Sequence, residues 1–239
     1  MIFRTGRFIN HNPVSGYVGD NSDNKGIWDL NEQKILSVNN KITPPIELVN
    51  SVLGTGPATN TQRVVFPAHQ AGDWLFAVIG SQSITPATPP SGWTSAVSAG
   101  QFDTRSTNLM YIVSDGSIST VDFTMVGASG LLYSGGMILR NVGGIGATNT
   151  RLISGVSTSQ AYPSLNMQRT DNTSRVIVGY FFQTVIDNNG ANISTGNITY
   201  VGDRSIMGVT NTAVSSFAFS PFVAGSAARV TVSAEILKA

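Results

Sequence analysis

Ala71-Gly72-Asp73-Trp74-Leu75-Phe76-Ala77-Val78-Ile79-Gly80 and, after a polar loop, Pro89-Pro90-Ser91-Gly92-Trp93-Thr94 form the stretch on which the fold turns. Ala71-Gly72-Asp73 reads as a turn. Trp74 to Ile79 is an apolar run of strand length, bounded by Gly72 and Gly80. Proline has no N–H to give to a ladder, so the double proline takes the chain out of the sheet until Trp93. Two tryptophans flanking one loop predict large anchors in a two-layer β core.

Strand signals recur on both sides of this stretch. Arg63 to Phe66 is short and β-branched, and Asn108 to Val113 is mostly apolar. Thr120 to Met125 sets Val121, Phe123 and Met125 on one face and Thr120, Asp122 and Thr124 on the other, the pattern of a half-buried strand. Leu131 to Leu139 is interrupted by Gly135-Gly136, which predicts a bulge or a close approach. Ser174 to Thr184 reads as a central strand covered on both faces. Ile198 to Val201, Ile206 to Val209 and Ala213 to Phe219 follow, and Arg229 to Ile236 aligns Val230, Val232, Ala234 and Ile236 on one face.

Asp/Asn-Gly clusters such as Ser114-Asp115-Gly116 supply the turns. About ten such strands predict an all-β, antiparallel β-sandwich or jelly-roll-like domain. Ile46 to Leu53 reads as one short helix. Gly143-Gly144-Ile145-Gly146-Ala147, with the polar stretch to Ser159, reads as a long loop between two halves of the sandwich.

Residues 1–45 differ from this body, which spans 46–239. They are turn-rich, with few apolar residues apart from the Gly26-Ile27-Trp28-Asp29-Leu30 segment, and Thr43-Pro44-Pro45 ends them. This is the pattern of an extended N-terminal arm. Ile27, Trp28 and Leu30 are its candidate interface residues. The arm either packs on its own body or crosses to a neighbouring subunit.

Composition narrows the function. The 239 residues contain no cysteine, which excludes disulfides and thiolate metal sites. Lys+Arg 14 against Asp+Glu 13 gives a net charge of +1, without the clustered positive charge of a nucleic-acid surface. Charged residues make up only 11%, so Ser, Thr, Asn and Gln must cover much of the surface. No apolar run approaches the ~20 residues of a membrane span. Met1 to Arg7 lacks the apolar core of a secretory signal.

Catalytic signals are sparse. His11 and His69 read as surface residues, with no H-x-x-x-H pairing and no G-x-S-x-G elbow, although spacing alone leaves a Ser-His-Asp triad open. Asp20, Ser22 and Asn24 have the alternate spacing of a calcium loop, but Lys25 stands where the turn glycine belongs and Glu32 falls one place late. Asp103, Asp115, Asp122, Asp171, Asp187 and Asp203 fall mostly in turns, where Asp binds backbone N–H groups. Glutamate in the body is limited to Glu47 and Glu235. Trp93, Phe102, Tyr111 and Tyr133 read first as core, and otherwise as stacking platforms for sugars.

Two segments carry a family resemblance. Ala71 to Val78, followed by Pro89 to Thr94, resembles a β-sandwich module of tailed-bacteriophage structural proteins, in which a "GD" plus apolar strand precedes a "PPSGW" turn. Gly26 to Leu30 with Gln33 resembles a short G-[VI]-W-x-L segment of phage tail, fibre and baseplate chains. The resemblance implies a virion component, homo-oligomeric and often trimeric, without catalysis or cofactor. It carries over no binding residue.

The expected function is therefore a non-enzymatic structural subunit of a tailed-phage virion, made in the host cytoplasm. It would serve as a tail fibre or baseplate appendage, or as a head decoration (cement) protein, docking on other virion proteins of capsid or tail. The alternative is a carbohydrate-binding module recognising a host surface glycan. A third possibility, a glycan-cleaving enzyme, requires two carboxylates about 5 to 9.5 Å apart.

Overall fold

In a computed structural model of the protein, the described residues are 44–55, 61–81, 83, 85–102, 105–124, 132–153, 159–181, 198–201, 205–217, 220–223 and 229–239. The chain divides between Pro44 and Pro45 into two units, and the β body belongs to the second. Its strands, in chain order, are β1 (Glu47–Thr55), β2 (Thr61–Val65), β3 (Trp74–Ser81), β4 (Thr94–Phe102), β5 (Arg105–Val113), β6 (Thr120–Thr124) and β7 (Leu132–Arg140). They continue with β8 (Val142–Ile153), β9 (Ser159–Tyr162), β10 (Arg175–Phe181), β11 (Ile198–Val201), β12 (Ser205–Thr210), β13 (Ser220–Val223) and β14 (Arg229–Lys238).

The body is an all-β antiparallel sandwich. One sheet has seven strands in the order β4-β5-β3-β7-β1-β2-β6, and the other has five in the order β11-β12-β10-β14-β8. A two-stranded sheet pairs β13 with β9. β3 lies between β5 and β7, and its residues are apolar at both parities, so both of its faces are buried.

One face of β3 looks toward the five-stranded sheet. Phe76 and Val78, with Leu109, Met137 and Leu139, meet Ile177, Met207, Val209, Val230, Val232, Ala234 and Ile236 in one apolar cluster. Each fully buried side chain of this size contributes about 1.5–3 kcal/mol.

The other face carries a second cluster. Leu75, Ala77, Ile79, Met110 and Ile138 lie under Val64, Phe66 and Phe123 of the β2–β6 segment, and under Ala87 and Trp93 of the loop after β3. β1 makes this possible by changing partners: Glu47 to Leu53 pair with β7, and Gly54 and Thr55 pair with β2. Trp93 stacks on Phe66 (ring centroids 6.0 Å apart) and meets Phe123 edge-on at 5.1 Å.

The two tryptophans of the opening stretch therefore serve different cores. Trp74 packs beside the inter-sheet cluster, stacked on Tyr111 at 5.0 Å, while Trp93 closes the outer one. The proline loop is pinned across the sheet by buried polar residues of β5. Ser106 donates to Thr85 O (3.0 Å) and Asn108 Nδ2 donates to Ala87 O (2.8 Å). Trp93 N–H closes the Pro90 turn at 3.0 Å, with Gly92 at φ 82°.

Three expectations are corrected. Ile46 to Leu53 is not a helix: Glu47 onward is β1, because its register with β7 supplies partners that local propensity does not register. Gly143 to Ser159 is not one long loop: Val142 to Ile153 form β8, paired along β14. Gly146 suits this strand because a Cβ there would lie 2.5 Å from Glu235 Oε2. Ala213 to Phe219 is not a strand among its described residues: it makes isolated bridges, Val214 with Ser174 and Phe217 with Leu165. Gly135-Gly136 marks a close approach and no bulge, since β7 pairs in register with β3, and a Cβ on Gly136 would lie 2.9 Å from Phe66 and 3.0 Å from Val52 and Val64.

The first and last residues of the body meet at Asn141. Its side chain donates to Pro45 O (2.8 Å), and its own carbonyl accepts from Ala239 N–H (3.0 Å).

Candidate functional site

The densest polar constellation among the described residues lies where the chain turns into β3. Gly72, at φ 89°, takes the left-handed position that favours glycine. Asp73 follows and is buried. Its carboxylate accepts from Gln70 N–H (2.8 Å) across the turn and from Arg140 Nε and Nη2 (2.7 and 2.8 Å), a bidentate pair at the end of β7. The Arg140 hydrogen bonds hold the Asp73 carboxyl below the usual range, outweighing the opposing effect of burial. Glu47 Oε2 lies 3.8 Å from the same guanidinium.

His69 and Ser114 complete the cluster. His69 Nδ1 faces Pro67 O at 2.8 Å; a carbonyl only accepts, so Nδ1 carries the proton. Nε2 then accepts from the Ser114 hydroxyl at 2.7 Å, and Ser114 Oγ accepts from Gly116 N–H at 2.9 Å. Main-chain bonds join the same pieces: Ser114 N–H to Asp73 O and Gly72 N–H to Ser114 O, both 2.8 Å. His69 is thus half-buried and bonded at both nitrogens, and the surface assignment is corrected.

A serine hydroxyl 2.7 Å from an imidazole is the contact of a nucleophile–base pair. Here the third member is missing, because the Asp73 oxygens go to Arg140 and Gln70 and His69 Nδ1 goes to a main-chain carbonyl. Ser114 is 3% exposed and its hydroxyl is bonded on both sides. The arrangement clamps two turns together.

The remaining candidates divide cleanly. Ile27, Trp28 and Leu30, His11, the Asp20 to Gly26 loop, and Asp103, Asp187 and Asp203 lie outside the described residues. Asp115 and Asp171 each accept from the N–H and hydroxyl two residues on, at Ser117 and Thr173. Asp122 makes an exposed bidentate pair with Arg63. No group of three His, Cys, Asp or Glu side chains among the described residues is placed to hold a metal. No helix among them is long and apolar enough to cross a membrane. Trp93 is core and not a platform. Tyr111 is half-buried against Trp74, and the side chains of Phe102 and Tyr133 lie outside what is described.

Glu235 and Arg175 are buried charges to which the sequence assigned no role. Glu235 is fully buried on β14. Burial pushes its carboxyl up, but bonds from Gln168, Ala147 and Arg169 N–H and the Ser174 hydroxyl more than offset this and leave it lowered. It faces the bulge in β8 and ties that strand to the segment before β10. Arg175, at the start of β10, donates to the carbonyls of Ile46 and Asn211; its Nε has no hydrogen-bond partner, and burial lowers its pKa. Neither position stands in a recognisable local motif, since their partners are distant in sequence.

Comparison with protein-family models, curated proteins and solved structures finds no match.

Proposed function

We propose that this protein is a non-enzymatic structural subunit of a tailed-bacteriophage virion, working by self-association and by docking on neighbouring virion proteins. One observation carries the reading: in the phage-like strand-and-turn stretch, the described residues serve architecture. Gly72 makes the turn, Asp73 locks it to Arg140, Trp74 packs on one core, and Pro90 and Gly92 deliver Trp93 to the other. The histidine and serine most suggestive of chemistry are engaged in the same turn. The sparse charge of the chain favours a surface of neutral hydroxyls and amides, suited to being covered by other subunits.

The test is incorporation. Particles assembled with the wild-type chain should contain it at fixed stoichiometry by quantitative mass spectrometry. Particles assembled with Trp28→Ala should lose it, while the melting temperature of the free protein stays the same. Absence of the wild-type chain from purified particles would refute the proposal.

A second reading, glycan binding, draws on the Trp74–Tyr111 stack, whose rings are half-buried. Saturable binding on a glycan array, lost in Tyr111→Ala, would favour it.

A further inference from the structure

We propose that the second half of β8 is an adhesive edge, and that the strand it takes is β8 of a second copy, running antiparallel across a dyad at Thr150. The inference follows from how the four outer strands of the two main sheets are finished, and is independent of the virion reading.

An open strand edge is a template for another chain, and proteins blunt it with bulges, shortness or charge. β4 is bulged, with register shifts between Ser95 and Val97 and between Gly100 and Phe102. β6 has five residues, with the charged Asp122 at its middle. β11 has four. β8 has twelve, against about 5–6 for an ordinary strand. Its two register shifts against β14 both fall before Thr148, and from Thr148 to Ile153 its pairing with β14 is unbroken. That half contains no proline and a single charge, Arg151.

The same half is exposed on both faces from Thr148 to Leu152, and Leu152 is 45% exposed. Thr148, Thr150 and Leu152 pair with the buried Ala234, Val232 and Val230 of β14, so they lie on the sheet's core-facing side and yet remain open. Among the described residues, the edge of the sandwich is open there.

Backbone direction sets the register. Thr150 N–H donates to Asn149 Oδ1 at 2.8 Å, which marks it as pointing away from β14. Outward groups alternate, so Thr148, Thr150 and Leu152 offer N–H and C=O to an added strand. A dyad at Thr150 matches this set to itself: Thr150 faces Thr150, and Thr148 faces Leu152. It also places Arg151 opposite Asn149, whereas a dyad one residue further on would set two arginines face to face. On pairing, Thr150 N–H exchanges its local bond to Asn149 for the carbonyl of the other copy. The product is an isologous dimer with a sheet continuous across both copies, unlike the trimer that the family resemblance implies.

The chain has no cysteine, so one introduced thiol reports directly. Opposed hydrogen-bonded residues have Cα atoms about 5.5 Å apart, within the roughly 4.4–6.8 Å that a disulfide spans. Purified full-length Thr150→Cys should therefore cross-link to a covalent dimer on mild oxidation, while Thr120→Cys on β6 forms no cross-link. In sedimentation the wild type should be a dimer, and Thr150→Lys should weaken its dissociation constant at least tenfold. A wild-type monomer at all accessible concentrations would overturn the proposal. So would an oligomer indifferent to Thr150→Lys, or cross-linking at Thr120 equal to that at Thr150.

Discussion

The two faces of β3 are covered in different ways. Toward the five-stranded sheet, aliphatic side chains of regular strands meet one another, and Phe76 is the one aromatic among the fully enclosed members. On the opposite face the cover is a narrow two-strand segment and a loop, and the enclosed members include Phe66, Trp93 and Phe123. A strand supplies an apolar side chain at every second position, so many modest residues share the work. A narrow two-strand segment and a loop offer few positions, so a few large rings must supply the area. The inter-sheet core is thus distributed, while the outer one is concentrated.

Removing an anchor should break the contrast most sharply. Trp93→Ala should cost about 3–5 kcal/mol; in hydrogen exchange the loop before β4 should lose protection while β10 and β14 keep theirs. In the distributed core, Ile177→Val should cost only about 0.5–1.5 kcal/mol, with uniform loss. If both variants lower protection evenly, the two cores are one cooperative unit.

Overfilling tests the concentrated core from the other direction. Gly136→Val would push into Phe66, Val52 and Val64 and should cost about 1–3 kcal/mol in chemical denaturation.

A smaller effect belongs to the turn that launches β3. Asp73 has a folded pKa below its unfolded one, so its contribution is fully present above the unfolded value of about 3.9 and is lost as pH falls through the folded value. Asp73→Asn should cost about 1–2 kcal/mol at pH 7, discounted because the Arg140 side chain is 30% exposed, and should flatten the acid side of the stability profile. An unchanged acid limb would assign that limb to other groups, Glu235 first. The smallest effect is expected at the exposed Arg63–Asp122 pair on the cover, where Arg63→Ala should leave the melting temperature unchanged within error.

Much of this architecture was legible in the residues themselves. Leu75, Ala77 and Ile79 alternate with Phe76 and Val78, and an apolar run without a polar face announces a strand buried on both sides. That the tryptophans go to opposite faces was hidden, because the loop that turns Trp93 over is set by Ser106 and Asn108, residues of a later strand. β8 was obscured by its glycines, which local propensity counts against a strand and which the approach of Glu235 to Gly146 instead favours. Both turns of the cluster, Ala71-Gly72-Asp73 and Ser114-Asp115-Gly116, were legible. The His69–Ser114 contact joins residues 45 apart and leaves no local trace.

Asn141 has a consequence for engineering. Because one residue holds both Pro45 and Ala239, the two chain ends of the β body emerge side by side. A short linker between them would close the body into a ring, and a new opening at the exposed Asp115-Gly116 turn would yield a circular permutant with both cores uncut.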